Sequence, residues 1–188
     1  MRKVLIVLVL CAFGLSAQID LGVSISPNRV TAGWSSEVGD LTDATGIGAD
    51  LEVFHRSIVQ NYPLYVGLEF GYAKPKLSDE NLEAKVINFG VGGEFDFSNY
   101  FNTGSFVPFV GVSMGYASWE VTKDETTVKP SGVYVGGSLG FYYQLPVSFP
   151  LNMKVAMHAQ YALTKKTDEF SNYGIGKLSI GLLTPISG

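Results

Sequence analysis

The sequence predicts an all-β fold: an eight-stranded, antiparallel, up-and-down β-barrel whose strands cross a bilayer. Three observations support this prediction. Apolar residues alternate with small or polar ones, the alternating segments number eight along 188 residues, and the connections between them alternate in length and charge. Because successive side chains on a strand point to opposite faces, each segment has one apolar and one small or polar face. An even number of such segments, each about ten residues long, is typical of membrane-spanning barrels.

The first four predicted strands show this alternation in order. The second of them spans about residues 47–56 and carries acidic residues between apolar ones. In the third and fourth, glycines and acids occupy the face opposite the apolar one, where a narrow barrel needs small or polar side chains. The apolar faces of the first (about 19–26), third (about 64–73) and fourth (about 85–97) strands are Ile19, Leu21, Val23 and Ile25; Leu64, Val66, Leu68, Phe70 and Tyr72; and Ile87, Phe89, Val91, Phe95 and Phe97.

The last four predicted strands begin with the clearest copy of the pattern, Val-Pro-Phe-Val-Gly-Val-Ser-Met-Gly-Tyr from Val107 to Tyr116. This fifth strand extends to about Trp119, and the eighth strand, about 174–183, has the weakest alternation. The apolar faces of the fifth, sixth (about 131–145) and seventh (about 151–163) strands are Pro108, Val110, Val112, Met114 and Tyr116; Val133, Val135, Leu139, Phe141 and Tyr143; and Leu151, Met153, Val155, Met157, Ala159 and Tyr161.

The connections indicate which end of the barrel faces outward. Outer-membrane barrels have long outer loops and short periplasmic turns. The short, mostly uncharged connections here are 57–63, 98–105 and 144–150. The long, charged connections, predicted to be the extracellular loops, are 27–45, 74–84, 120–129 and 164–173.

Aromatic residues fall at the strand ends under this topology. If the odd-numbered strands run toward the outside of the cell, one group of aromatic residues on the apolar face lies at the outer ends of the strands. A second group lies at the inner ends. Tyrosine and tryptophan are enriched where a membrane meets water, so the sorting predicts two interfacial belts. The outer group is Tyr72, Tyr116 and Tyr161, and the inner group is Phe95, Phe97, Phe141 and Tyr143.

The N-terminal segment resembles a secretory signal. Arg2 and Lys3 precede the apolar stretch 4–10, and 14–17 is a run of small residues suited to cleavage after Ala17. We therefore expect residues 1–17 to be a signal peptide and residues 18–188 to form a single barrel domain. Cleavage would also remove Cys11, the only cysteine, leaving no thiol for catalysis or metal binding.

The charge balance excludes some partners. The chain carries 17 acidic against 13 basic residues, a formal net charge of −4, and loss of Arg2 and Lys3 would make it more acidic. An acidic chain is unsuited to nucleic acid and to strong electrostatic attraction by anionic lipid. Beyond the signal, no run of eighteen apolar residues predicts a membrane helix. We expect a monomer surrounded by outer-membrane lipid.

The polar face of the predicted strands supplies the candidate interior. An eight-stranded barrel is barely wide enough for its own side chains, so buried charges there need partners. We predict an internal network in which Lys154 and Arg56 bridge Glu69 and Glu94, with His158 nearby. Two interpretations stay open: a solid polar plug, which we favour, and a narrow gated pore.

The whole predicted mature chain resembles the small eight-stranded outer-membrane barrels, such as the membrane domain of outer-membrane protein A. The resemblance is carried by the signal end Leu-Ser-Ala-Gln at 15–18, by the repeat at 107–116, and by Gly-Val-Tyr-Val-Gly-Gly-Ser-Leu-Gly-Phe at 132–141. It implies a location in a Gram-negative-type outer membrane, reached through the insertion machinery of that membrane. Most members end the last strand with an aromatic residue, whereas this chain ends Leu-Leu-Thr-Pro-Ile-Ser-Gly at 182–188.

Catalysis finds little support in the residues. The lipid A deacylases of this size use a histidine with a serine two residues on, but here His158 is followed by Ala159 and Gln160. His55 and His158 lack the spacing of metal ligands, so no catalytic residue, cofactor or metal is predicted. Catalysis by a pair of carboxylates, Glu52 with Glu69 or Glu94, is supported by residue type alone.

The expected function is non-catalytic: support of the envelope, or presentation of the four loops to an extracellular ligand or protein. Trp34 lies in the longest loop and Trp119 at the edge of another, where each offers contact area; Trp119 also fits an interfacial belt. A narrow pore for ions or small solutes is the first alternative. The second is a secreted, soluble barrel that holds an apolar ligand, which would need the apolar face inside.

Overall fold

A computed structural model describes residues 19–32, 44–56, 63–76, 82–101, 104–123, 126–164 and 173–186. The predicted signal peptide at 1–17 and Trp34 lie outside these residues. Within the described ranges, no helix is long and apolar enough to span a membrane. The strands are β1 (Ile19–Ala32), β2 (Ala44–Arg56), β3 (Leu64–Lys76), β4 (Leu82–Asp96), β5 (Phe106–Lys123), β6 (Thr126–Val128), β7 (Ser131–Gln144), β8 (Asn152–Thr164) and β9 (Tyr173–Ile186).

The eight long strands close into a barrel. Each pairs antiparallel with its neighbours in sequence, β1 pairs with β9, and β4 pairs with β5. Short β6 pairs only with the far end of β5 and continues the line of β7. Because every long strand has two partners, the barrel wall has no free edge. The predicted eight-stranded, up-and-down fold is confirmed.

The strands are longer than predicted. β1 continues to Ala32, through the first part of the loop predicted at 27–45, and β5 continues past Trp119. The sequence predicted a charged loop at 120–129, but β5 continues to Lys123 and pairs with β6 through Val121 and Val128. That prediction is wrong for most of the segment. The reason is that the outward residues become polar here while the alternation continues: Val121 stays completely buried, and Thr122 and Thr127 share a hydroxyl hydrogen bond of 3.1 Å.

The apolar face points outward on all eight long strands. Val112 is 71% exposed and Leu68 is 62% exposed, although both lie in the middle of their strands. The inner face carries buried polar and charged groups, including Asp50, Glu52, Glu94 and Lys154. This sorting is the reverse of that required by a soluble barrel with an apolar ligand inside.

One end of the barrel, here called the turn end, carries the connections at 97–105 and 145–151; the opposite end is called the loop end. Asp96 organises the turn end: its carboxylate accepts hydrogen bonds from the Tyr65 hydroxyl at 2.7 Å and from the Ser98 backbone N–H at 2.9 Å. Gly104 has a φ of 66°, a left-handed conformation that glycine adopts without a steric penalty. These contacts tie β3, β4 and the turn together.

Candidate functional site: the barrel interior and its outward face

The loop end of the interior is apolar on the side of β4 and β5. Facing positions pair Val86 with Trp119 and Ala84 with Val121, and all four side chains are 0–3% exposed. We call these four residues the apolar cap. Trp119 therefore belongs neither to an exposed loop edge nor to an outward belt: inward and outward positions alternate, and β5 continues past it with Trp119 on the inner face.

A polar layer lies next to the apolar cap. Lys177 on β9 contacts Asp50 on β2, the strand on the other side of β1, with 2.8 Å between Nζ and Oδ1. His158 Nε2 lies 2.8 Å from the Ser179 hydroxyl on the neighbouring strand. Lys177 and Ser179 were not predicted from the sequence, because β9 has the weakest alternation. Their positions on either side of Leu178 were the signal that could have placed them on the inner face.

Lys154 forms the centre of the interior. Its ammonium group lies 2.8 Å from Glu52 Oε2 and 2.6 Å from Glu94 Oε1, and the Tyr142 hydroxyl donates a hydrogen bond to Glu94. All three charged side chains are at most 6% exposed. One ammonium group between two carboxylates, with a phenol as additional donor, is the arrangement that a buried charge requires.

The expected network is therefore only partly the one observed. Lys154 contacts Glu94, but its second partner is Glu52 in place of Glu69. Glu52 and Glu69 face each other on β2 and β3, and the Glu69 carboxylate lies so close to Gly92 that an added Cβ there would overlap it. Arg56 ends β2, and its side chain lies outside the described part of the structure, so the predicted bridge by Arg56 stays a prediction.

An aromatic shelf of Phe54, Phe109 and Tyr142 supports Lys154 toward the turn end. The ammonium nitrogen lies 4.9 Å from the Phe54 ring centroid and 5.3 Å from that of Phe109. The Phe109 and Tyr142 rings stack with centroids 4.7 Å apart. Cation–π contacts of this kind stabilise a desolvated ammonium group. The shelf therefore separates the central charges from the turn end.

Beyond the shelf, a cavity of about 290 Å³ opens at the turn end. Its lining includes Tyr65, Asp96, Tyr142 and Asn152. From loop end to turn end, the lumen therefore holds the apolar cap, the polar layer, the Lys154 centre, the aromatic shelf and this cavity. Side chains occupy the first four levels, and a cavity of about 20 Å³ remains in the polar layer beside Asp50, Asn88 and Lys177.

The chemistry available to this interior is limited by burial. The Ser179 and His158 pair has the components of a nucleophile and a base, but Ser179 is 2% and His158 is 9% exposed, so a substrate has no access to it. Among the described residues, no group of three or more histidine, cysteine or acidic side chains is placed to hold a metal ion. The arrangement is suited to holding the barrel together.

The outward face carries the aromatic residues predicted at its two ends. Near the loop end, Tyr72, Tyr116 and Tyr161 are 40–49% exposed, and the Tyr116 hydroxyl donates to Ser131 Oγ at 2.5 Å. Near the turn end, ring centroids are 5.4 Å apart for Phe95 and Phe97 and 4.4 Å for Phe106 and Phe141; Tyr143 is also outward and 37% exposed.

No protein-family model matches the chain, and no curated protein matches it. Several solved structures match the chain. Neisserial surface protein A (NspA) aligns with a TM-score of 0.66 and 13% identity, covering 88% of this chain and 96% of that chain. A major outer membrane protein from Thermus thermophilus aligns with a TM-score of 0.51 and 14% identity, covering 88% and 99%. The outer membrane enzyme PagL aligns with a TM-score of 0.50 and 15% identity, covering 87% and 99%.

These likenesses concern the fold. The chain has the fold of the small eight-stranded outer-membrane β-barrels, and the resemblance drawn from the sequence is confirmed at that level. Because one of the three aligned proteins is an enzyme and the others are described only as surface or outer-membrane proteins, the fold itself leaves the activity open.

Proposed function

We propose that this protein is an integral outer-membrane β-barrel with a non-catalytic role, either structural or in surface interaction. The connections that follow β1, β3, β5 and β8 lie outside the cell in this proposal. The observation that carries it is the sorting of side chains: a continuous apolar outer surface surrounds a charged, ion-paired interior. Burial of the outer surface in lipid removes the cost of exposing it to water.

The height of the apolar surface matches a bilayer. On β5, every outward residue from Phe106 to Tyr116 is apolar, and the polar residues Ser118 and Glu120 follow. A tilted strand needs about 9–11 residues to cross the hydrocarbon core, and this stretch has that length. On β3 the corresponding stretch runs from Leu64 to Tyr72, where Lys74 comes next.

Export and insertion are part of the same proposal. The signal-like segment at 1–17 would deliver the chain to the periplasm, and the outer-membrane insertion machinery would fold it. β9 ends at Ile186, which pairs with Ile19 of β1, so the first and last strands close the barrel. A barrel closed by its own strands needs no second copy, which favours a monomer.

The contents of the lumen favour the polar plug over the pore. The Lys154 centre and the aromatic shelf lie in the lumen between the polar layer and the turn end, and the apolar cap lies toward the loop end. An ion crossing the barrel would have to displace Lys154 from both Glu52 and Glu94. We therefore expect low conductance in planar bilayers, and we expect the exposed loops to account for any partner.

The test is fractionation of expressing cells followed by a denaturing gel, with and without boiling. Closed barrels often keep their structure in detergent until heated, so we expect a mobility shift in the outer-membrane fraction. Recovery in the soluble periplasm without a shift would contradict the proposal and return attention to a secreted barrel.

A further inference from the structure

Charged residues form a row on the outward face, running from β3 across β4 and β5 to the residue that follows β6, beyond the apolar surface at the loop end. The register places Lys74 beside Lys85, between the pairs Ala73–Val86 and Lys76–Glu83. Lys85 pairs in turn with Glu120. The β5–β6 register then places Lys129 beside Glu120. We call Lys74, Lys85, Glu120 and Lys129 the charged row.

The charged row has more positive charge than its own acids neutralise. Lys74 and Lys85 lie side by side, and like charges at such positions destabilise a sheet. Their acidic contacts are long: 3.9 Å from Lys74 to Glu83 and 3.7 Å from Lys85 to Glu120. Glu120 also contacts Lys129, at 3.0 Å. An anion seated between Lys74 and Lys85 would relieve their repulsion.

The position of the row argues for an amphipathic anion. Toward the turn end, Tyr72 and Ile87 come directly after the row on β3 and β4, and Tyr116 follows Ser118 on β5. Each of these three apolar side chains is 40–46% exposed. A ligand that contacts both surfaces needs an anionic head and an apolar tail. The outward lysines whose side chains the structure describes all lie in this sector, although the chain as a whole is acidic. They are Lys74, Lys76, Lys85 and Lys129. On the opposite wall, Leu163 near the end of β8 is apolar and 52% exposed.

We propose that the charged row binds the phosphate group of an anionic membrane lipid in the leaflet at the loop end, with the acyl chains of that lipid against Tyr72, Ile87 and Tyr116. This inference rests on the proposed function, because it requires the outward face to lie in a membrane. Lysine ammonium groups at a membrane interface attract anionic headgroups, and their long stems let them reach the headgroup level from the barrel wall.

The test is native mass spectrometry of the folded protein purified in detergent, with diphosphoryl lipid A as the probe. Phosphatidylcholine serves as the lipid without net charge, and inorganic pyrophosphate as the anion without acyl chains. The variant is Lys74→Gln/Lys85→Gln. The matched control is Lys165→Gln/Lys166→Gln, which makes the same change of charge in the sequence between β8 and β9, the strands that lie opposite β3 and β4 in the strand order of the barrel.

We expect lipid A to bind the unmodified protein and the control equally and to bind Lys74→Gln/Lys85→Gln about 25-fold more weakly, since each lysine near an anionic surface contributes roughly a fivefold factor. We expect Glu120→Gln to bind about fivefold more tightly, because it frees Lys85 and Lys129. The inference would be overturned if the control lost as much lipid A binding as Lys74→Gln/Lys85→Gln, or if Glu120→Gln left lipid A binding unchanged. Binding of pyrophosphate as tight as that of lipid A would also overturn it.

The two proposals fail in different ways. A chain recovered from the soluble periplasm without a heat-induced shift would remove the proposed function and this inference together. A chain that inserts and shows the shift, yet binds lipid A independently of Lys74 and Lys85, would remove this inference alone.

Discussion

The inner and outer surfaces of the barrel wall are built from alternate residues of the same strands, but they follow opposite rules. On the outside, Val112 and Leu68 make few specific contacts, and lipid accepts any apolar shape there. On the inside, Lys154 has two carboxylate partners and a supporting aromatic shelf, so its surroundings are specific to it. The difference teaches that stability depends on particular partners inside and only on hydrophobic character outside.

The largest expected effect comes from Lys154→Met. This variant leaves Glu52 and Glu94 buried without their ammonium partner, and breaking a buried ion pair from one side costs about 3–5 kcal/mol. Urea unfolding in lipid vesicles measures the free energy of unfolding. Adding Glu52→Gln and Glu94→Gln to the same variant should restore part of the loss, and a loss below about 1 kcal/mol for Lys154→Met alone would contradict the central role of this cluster.

A charge placed on the outer surface should have the next largest effect. Val112 lies midway along the apolar stretch of β5, and a lysine at the bilayer midplane costs about 2–4 kcal/mol. Val112→Lys should therefore lower the free energy of unfolding in vesicles by that amount. Thr122→Lys, an outward position beyond the apolar stretch, is the control and should change it little. Equal effects at both positions would argue against a membrane around β5.

A pair of glycines compares the two surfaces directly. A Cβ on inward Gly115 would overlap the Phe89 carbonyl oxygen and come within 2.5 Å of Gly90 Cα, whereas a Cβ on outward Gly137 meets nothing closer than 3.7 Å. Gly115→Ala should destabilise the barrel by about 1–3 kcal/mol, as overpacking does. Gly137→Ala should be nearly neutral in the same unfolding measurement, and the reverse order would mean that the assignment of faces is wrong.

The smallest expected effect concerns the polar layer. Ser179→Ala removes the hydroxyl partner of buried His158, and the loss of one such hydrogen bond costs about 1 kcal/mol. Ser131→Ala removes the partner of Tyr116 on the exposed face and should cost less, because water replaces it. Thermal unfolding followed by circular dichroism compares the two. A larger loss for Ser131→Ala would contradict the difference between the surfaces.

The same contrast explains what could be predicted from the sequence. The eight strands and the outward face follow from local alternation, because lipid requires only that every second residue be apolar. The identity of the partner of Lys154 cannot be predicted from local alternation, because Glu52 lies 102 residues away in the sequence. The two side chains meet across a lumen whose geometry depends on the shear of the closed barrel. The predictions of a loop or belt position for Trp119 and of a loop in place of the β5–β6 hairpin were wrong. The outward residues become polar there, so the alternation of apolar and polar residues no longer indicated that the strand continues.

The central claim is that the apolar outward face of the barrel lies in lipid. The most direct measurement uses spin labels on Val112→Cys and on Thr122→Cys, an outward position beyond the apolar stretch of β5. Each is a single-cysteine protein once the segment with Cys11, the only native cysteine, has been removed. In vesicles, the label at 112 should collide with dissolved oxygen and be protected from a water-soluble nickel complex, whereas the label at 122 should be accessible to the nickel complex. Free access of the nickel complex to position 112 would contradict the account.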